Sequence, residues 1–352
     1  MYKHRREKLQ TEYEVHQIDA VLIKNPYNLR YYSGYTGGNG YLLIAREKVY
    51  LITDLRYFEQ VTIECPDIIV LDAGQLSYAK GLGEALQKEG IQILGFEEDS
   101  ITYQEYTDIC AVCDGMNLMP KSEWIVSQRQ IKTQEEIEKI GKAEAIAGAA
   151  FSHILASLKA GITEKEIAFE LECHMKKQGA EALSFDMIIA SGTHSSMPHA
   201  RVTQKPVEAG EFIIMDFGCI YEGYCSDMTR TVAIGKISNE MQDVYNIVLE
   251  AQLTAMETIK PGMICSEIDA IARDIIKKYG YGEYFGHGLG HGVGLDIHES
   301  PRFSLKCDTV LVPNMVLTVE PGIYLPGKFG VRIEDLIVVT KGGFRNLTTS
   351  LK

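Results

Sequence analysis

FIIMDFGCIYEGYCSDMTRTVAI (Phe212–Ile234) sets two apolar, β-branched runs on either side of Tyr221-Glu-Gly-Tyr224, the pattern of a β-hairpin with a two-residue loop. Asp216 and Asp227 lie one on each arm. Across such a loop, directly opposed residues have numbers that add to an odd value, and these two do, so both carboxylates project from one face. Two carboxylates aimed at one spot from an apolar hairpin repel each other and are costly unless paired or bound to a cation. The alternative, solvated aspartates on an outer face, leaves Met215, Phe217 and Met228 on an opposite face that must itself be covered.

A second pair stands in VLTVEPGIYLPGKFGVRIEDLIVV (Val316–Val339), where Glu320 and Glu334 bracket Pro326-Gly327. Their numbers add to an even value, so an odd-length or bulged loop is needed to bring them face to face, and Pro321 argues for a distorted strand beside Glu320. Arg332 shares the face of Glu334. A salt bridge from Arg332 to Glu334 or Glu320 is the structural alternative. Between the two hairpins comes Gly286-His-Gly-Leu-Gly-His-Gly-Val-Gly294, with glycine at every second position and His287 and His291 four apart. Its spacing is not that of a dinucleotide-binding loop, and alternating glycine lets a backbone approach something closely. His298 follows, and His199, in Met197-Pro-His-Ala, sits at the matching place in the preceding half.

Outward from these motifs, helical periodicity over about 134–159 and 163–179 precedes the first strand-rich block, and over about 238–259 and 265–279 the second. The order helix, helix, strands occurs twice, which predicts an internally duplicated α+β domain. Thr133-Gln-Glu-Glu136 has capping-box spacing at its first helix. The first 120 residues alternate strand and helix patterns: a hairpin over 40–44 and 49–53, a short buried strand at 68–71 and an amphipathic helix over 77–88. That half is α/β. The boundary is expected near residue 125, giving domains 1–125 and 126–352.

Composition bounds the function. The chain has 352 residues, 45% hydrophobic and 24% charged, with a formal net charge of −13, a field that repels phosphate backbones and anionic lipid. No apolar run is long enough for a signal peptide or a membrane span. A cytoplasmic protein with no nucleic-acid or membrane partner is expected. Cys110 and Cys113 form the one CxxC pair, with no second pair to complete a zinc site, and read as reduced structural thiols.

Four carboxylates and one imidazole make an oxygen-rich set suited to two divalent cations, and such a set accepts Mn²⁺, Co²⁺, Fe²⁺ or Zn²⁺. Such a site supports hydrolysis: a water activated near neutral pH, a polarised carbonyl, and neutral histidines that stabilise an oxyanion or pass protons. Asp216-Phe-Gly218 lacks the catalytic loop and lysine strand of a kinase.

The ordered motifs MDFG, SDMTRT, GHGLGHGVGLDIHE, TVEPGIY and VRIED closely resemble the proline-specific metallopeptidases of the methionine aminopeptidase, aminopeptidase P, prolidase and creatinase superfamily. Asn28-Leu-Arg-Tyr-Tyr-Ser-Gly34 and Thr53-Asp-Leu-Arg-Tyr57 resemble the creatinase-type N-terminal domain. The resemblance implies a pita-bread catalytic domain with a dinuclear site held by Asp216, Asp227, His291, Glu320 and Glu334. It implies that His199 and His298 steady the substrate carbonyl, that Arg332 is an active-site arginine and that His287 lies near the substrate. Glu320 becomes the candidate for taking the proton of the attacking water and delivering it to the departing nitrogen. Proline's ring and missing N–H demand a dedicated pocket, for which Tyr224, Phe185 and Arg302 are the candidates, Arg302 by pairing with a proline carboxylate. A homodimer is implied as well. The reading is Xaa-Pro dipeptide hydrolysis; the alternatives are an aminopeptidase P acting on longer peptides and, remotely, a catalytically silent binding module.

Overall fold

The computed structural model describes residues 1–74 and 77–352. Contacts divide the chain into two compact units, Met1–Arg129 and Gln130–Lys352, so the short helix Ser122–Ser127 falls within the first.

The first unit is built on a six-stranded mixed sheet of β1 (Ala20–Ile23), β2 (Tyr41–Ala45), β3 (Val49–Thr53), β4 (Ile69–Asp72), β5 (Ile93–Phe96) and β6 (Asn117–Pro120), in the order β4-β3-β2-β1-β5-β6. The expected hairpin is β2–β3, with Ile44 opposite Val49. The amphipathic segment forms helix Tyr78–Glu89, which buries Ala79, Leu82, Ala85 and Leu86 in the core with β1, β2 and β3. The strand expected to be buried at 68–71 is instead the edge strand β4, with Ile69 39% exposed: an edge has a neighbour on one side only. Of the CxxC pair, Cys110 is exposed on the helix Tyr103–Val112 and Cys113 is buried at its C-terminal end. Burial, with the adjacent Cys110, pushes the Cys113 thiol up to about 11, and a helix C-terminus does nothing to favour a thiolate there, so Cys113 is a buried protonated thiol.

The second unit begins with the expected capping box, Glu136 N–H donating to Thr133 Oγ1 at 3.3 Å and Thr133 N–H to Glu136 Oε2 at 2.8 Å. Its four long helices are α1 (Gln134–Leu155), α2 (Glu164–Lys177), α3 (Asn239–Thr258) and α4 (Cys265–Lys278), and the α1–α2 and α3–α4 pairs each bury an apolar face under a strand block. The first block comprises β7 (Ala182–Leu183), β8 (Ile188–Ser191), β9 (Phe212–Phe217), β10 (Cys219–Tyr221), β11 (Tyr224–Cys225) and β12 (Met228–Ala233); the second comprises β13 (Gly290–Gly292), β14 (Glu299–Phe303), β15 (Val316–Val319), β16 (Gly322–Leu325), β17 (Phe329–Arg332), β18 (Asp335–Thr340) and β19 (Gly343–Asn346).

The halves repeat one plan. In the first, β8 pairs with β9 and β9 with β12; in the second, β13 pairs with β15 and β15 with β18. Each hairpin then continues into a shorter ladder, β10–β11 or β16–β17. The entry to the second helix of each pair matches too: Gly161 N–H donates to the Val207 carbonyl at 2.8 Å, Gly262 N–H to that of Leu311 at 2.9 Å. The expected duplication is thus present in strand order and in backbone bonds.

Both loops follow the residue count. Tyr221 lies opposite Tyr224, with Glu222 at φ 47° and Gly223 at φ 81°, the left-handed pair that a two-residue hairpin loop of this twist requires. Leu325 lies opposite Phe329, so the second loop has the three residues Pro326-Gly327-Lys328, an odd length. In each hairpin the ladder breaks midway while the register is kept. The breaks fall at Gly218 with Ser226 and Asp227, and at Glu320 and Pro321 with Ile333 and Glu334, so three of the four expected metal-binding carboxylates lie in a break, while Asp216 stays in the ladder two residues before one. Gly218 is required where it stands, because a Cβ there would lie 2.0 Å from the Ser226 carbonyl oxygen.

Candidate functional site

The ladder break of the second hairpin frees backbone groups that would otherwise be spent within it, and these bond to neighbouring segments. Glu320 N–H donates to the Leu289 carbonyl at 2.8 Å, and Glu334 N–H crosses to the Thr229 carbonyl of the first hairpin at 3.1 Å. The glycine-rich strand β13 lies against β15 so closely that a Cβ on Gly290 would sit 2.0 Å from the Thr318 carbonyl oxygen. Side chains of both hairpins and of the histidine segment therefore converge on one space.

That space is a cavity of about 530 Å³ lined by Asp216, Asp227, His291, Glu320 and Glu334 together with His199, His287, His298, Arg302, Arg332 and Phe185. Eleven of the twelve residues singled out in the sequence thus meet. Tyr224 does not line it: its ring is buried elsewhere in the unit, and its hydroxyl donates to Glu136 Oε1 at 3.0 Å, anchoring the hairpin to the first turn of α1. Contrary to expectation, Tyr224 is therefore no part of the cavity wall that would receive proline.

Within the cavity, ligand-capable atoms of Asp227, His291 and Glu334 lie within 4.8 Å of one another, and Glu320 Oε1 is 3.4 Å from His291 Nε2. Asp216 is held differently. Arg332 Nη2 donates to Asp216 Oδ2 at 2.5 Å, so the arginine pairs with the first hairpin and not with Glu334 or Glu320. The register explains this, because Arg332 closes the β16–β17 ladder and its backbone bonds Thr231 of β12, next to β9, which carries Asp216.

The remaining polar contacts fix the histidines. His291 Nδ1–H donates to the Gly292 carbonyl at 3.0 Å, which leaves the Nε2 lone pair facing Asp227 and Glu320. His287 Nδ1–H donates to the Gly288 carbonyl at 2.8 Å, so its Nε2 accepts from the Tyr324 hydroxyl at 3.0 Å; that hydroxyl accepts from Arg332 Nη1 at 2.8 Å. Burial lowers His291 to about 3 and, with the Arg332 charge beside it, His287 to about 4; burial and Arg302 lower His298 as well, so all three are neutral imidazoles at pH 7. Tyr324 was missed in the sequence reading. It lies four residues after Glu320, and strand alternation puts 320, 322 and 324 on one face, the signal that could have found it.

The carboxylates carry the opposite strain. Burial, then repulsion from Glu334, Asp216 and Glu320, pushes Asp227 far above the usual range; burial, then Glu320 and Asp216, does the same to Glu334. Burial raises Glu320 to about 8 against the pull of Arg332. Asp216 Oδ1 and Glu334 Oε1 are buried with no hydrogen-bond partner in the protein. Buried, mutually repelling oxygens with unused lone pairs fit divalent cations: two such ions would balance four carboxylates and take up those lone pairs.

A model of metallopeptidase family M24 matches residues 138–341, and one of the creatinase/prolidase N-terminal domain matches residues 5–131. An Xaa-Pro dipeptidase of Pyrococcus furiosus is 40% identical over 98% of both chains. Among solved structures, an Xaa-Pro dipeptidase from Bacillus anthracis superposes with a TM-score of 0.96 at 43% identity, covering 100% of this chain and 99% of the other. An X-Pro aminopeptidase from Thermotoga maritima superposes at 0.91 with 40% identity, covering 98% of each. No helix among the described residues is long and apolar enough to cross a membrane.

Proposed function

The chain belongs to metallopeptidase family M24, and we propose that it hydrolyses Xaa-Pro dipeptides with two divalent cations held by Asp216, Asp227, His291, Glu320 and Glu334. The observation that carries the reading is the convergence of three buried carboxylates, the partly buried Glu320 and one neutral imidazole on a single cavity, with unpartnered oxygens on Asp216 and Glu334. When bound, the cations supply an activated water and polarise the scissile carbonyl.

The chain's own residues supply the rest. Phe185 offers an apolar wall to the pyrrolidine ring, and Arg302 pairs with the carboxylate that a dipeptide, but not a longer peptide, presents next to proline. His199 and His298 donate hydrogen bonds to the carbonyl oxygen as it becomes an oxyanion. Glu320 takes the proton of the attacking water and returns it to the imino nitrogen, which has no proton of its own to leave with. Arg332, fixed by Asp216 and Tyr324, keeps a positive charge beside these groups.

Mn²⁺ or Co²⁺ is the proposed cofactor, with Zn²⁺ and Fe²⁺ as alternatives, and a cytoplasmic homodimer the proposed working form. The similarity to an X-Pro aminopeptidase at 40% identity supports a second reading, release of the N-terminal residue from longer peptides. Metal analysis, followed by turnover of Ala-Pro and Ala-Pro-Ala before and after chelation, separates the two. Metal-dependent cleavage of Ala-Pro is expected; cleavage of Ala-Pro-Ala with none of Ala-Pro would overturn the dipeptidase reading, and sedimentation velocity tests the dimer.

A further inference from the structure

Cys265 is the first residue of α4 and is fully buried; Cys307, half-buried, packs against the same core cluster. Backbone bonds pin the two segments together: Cys265 N–H donates to the Thr309 carbonyl and Ser266 N–H to the Cys307 carbonyl, both at 3.0 Å, with an antiparallel bridge between Ile264 and Val310. This puts the two residues diagonally across an antiparallel pair, on one face, with their thiols within hydrogen-bonding reach of each other.

Their surroundings are unequal. Burial opposes charge on Cys307, but the Thr309 hydroxyl and amide, the Arg302 amide and the Cys265 thiol donate to its sulfur and together hold it below the ordinary thiol range. The positive end of α4 favours the same thiolate. Burial pushes Cys265 well above that range, so it remains a thiol. One sulfur is thus the more readily ionised of the two and partly accessible, and the other is its protonated, buried neighbour.

We infer that Cys265 and Cys307 form a reversible redox site that closes to a disulfide, with a low-molecular-weight disulfide such as oxidised glutathione as the oxidant. The Cys307 thiolate attacks the glutathione disulfide, forming a mixed disulfide and releasing one glutathione thiolate. Cys265 then gives up its proton and attacks the Cys307 sulfur, releasing the second glutathione. Two protein thiols are oxidised and one glutathione disulfide is reduced to two thiols, so the exchange balances.

The site reaches the cavity through Arg302. Its amide donates to the Cys307 sulfur, Cys307 N–H donates to the Ser304 carbonyl at 3.1 Å, and Arg302, Phe303 and Ser304 all line the cavity. Closing the disulfide turns the Cys307 sulfur toward α4 and removes the acceptor of the Arg302 amide. Substrate binding should weaken while the groups that perform the chemistry stay in place. That second step rests on the proposed function, through Arg302 as the carboxylate partner.

The test uses the full-length, Mn²⁺-loaded protein. After incubation with oxidised glutathione, free thiols are alkylated and a protease digest is mapped by mass spectrometry without reduction. A peptide joining Cys265 to Cys307, two hydrogens lighter than the separate thiols, is expected, with the Cys265→Ser variant trapping glutathione on Cys307 and the Cys307→Ser variant giving neither product. Wild-type protein in which Cys307 stays alkylatable, or keeps glutathione without linking to Cys265, would overturn the site. For Ala-Pro, KM should rise several-fold on oxidation with kcat within about twofold, and dithiothreitol should reverse it. Unchanged kinetics in protein shown to carry the link would overturn the coupling to Arg302. Protein inactive before oxidation would count against the proposed function, and the mass map would still decide the disulfide.

Discussion

Removing Glu320's charge should change how the metal-free fold responds to pH. In the structure, burial lifts this carboxyl from 4.5 to about 8. A carboxyl whose folded pKa is raised contributes most to stability below its unfolded pKa, and the contribution is lost as pH rises toward the folded value. For Glu320 the window runs from about 4.5 to about 8, and at about 1.4 kcal/mol per pH unit the loss is on the order of 5 kcal/mol. Asp227 and Glu334 add to it in the same direction, each pushed up in part by Glu320. Glu320→Gln therefore removes its own share and relieves two neighbours. In chelated protein, the melting midpoint of the catalytic unit should fall by roughly 10 to 20 °C between pH 5 and pH 8, at about 2 to 4 °C per kcal/mol for a unit of this size. The variant should flatten that fall, and saturating Mn²⁺ should flatten it in the wild type, because the cation stabilises the ionised form. The measurement is differential scanning calorimetry at several pH values, with and without chelator. An equally steep fall in Glu320→Gln would refute the repulsion argument.

Asp227→Asn should abolish cation binding in isothermal titration calorimetry while leaving the circular dichroism spectrum unchanged; retained binding would show that the cluster is not the metal site. His298→Ala should lower kcat by roughly 10² to 10⁴ with cation still bound, whereas metal loss in this variant would make it a ligand. Tyr324→Phe leaves His287 Nε2 without its donor and takes one acceptor from Arg332, at a cost of about 1–3 kcal/mol. It should lower kcat/KM without displacing the metal, and unchanged kinetics would mean that the Tyr324 hydroxyl does not orient those groups.

Periodicity and residue counting made much of this legible. Two carboxylates on each arm-and-loop unit, a two-residue loop in one and an odd loop in the other, are properties of a period-two chain and survive any tertiary detail. The duplication was readable for the same reason, since paired helices and hairpins each carry their own pattern. What failed depended on packing between elements. Tyr224 is the residue of its hairpin nearest the loop, so the ladder that carries Asp227 into the cavity carries Tyr224 out toward Glu136. Arg332 does line the cavity, but which carboxylate it holds was not legible: it binds Asp216 because its strand backs onto the other hairpin through Thr231. The strand at 68–71 is apolar in sequence but sits at a sheet edge, a placement fixed by strand order.

The two ladder breaks have a consequence for how the catalytic unit can be taken apart. Glu334 is oriented by the backbone of Thr229, and Asp216 by the side chain of Arg332, so each repeat supplies the fastening for the other's acidic groups. A protein nicked in the exposed stretch between β12 and α3 would yield two fragments, each with a sound hairpin but with its carboxylates unfastened. Neither fragment would be a weaker version of the whole; the centre would come into being only on reassociation. Complementation between the separated repeats should therefore be all-or-none in cation binding, and an ancestor made of one repeat would have needed a second copy beside it to hold anything at all.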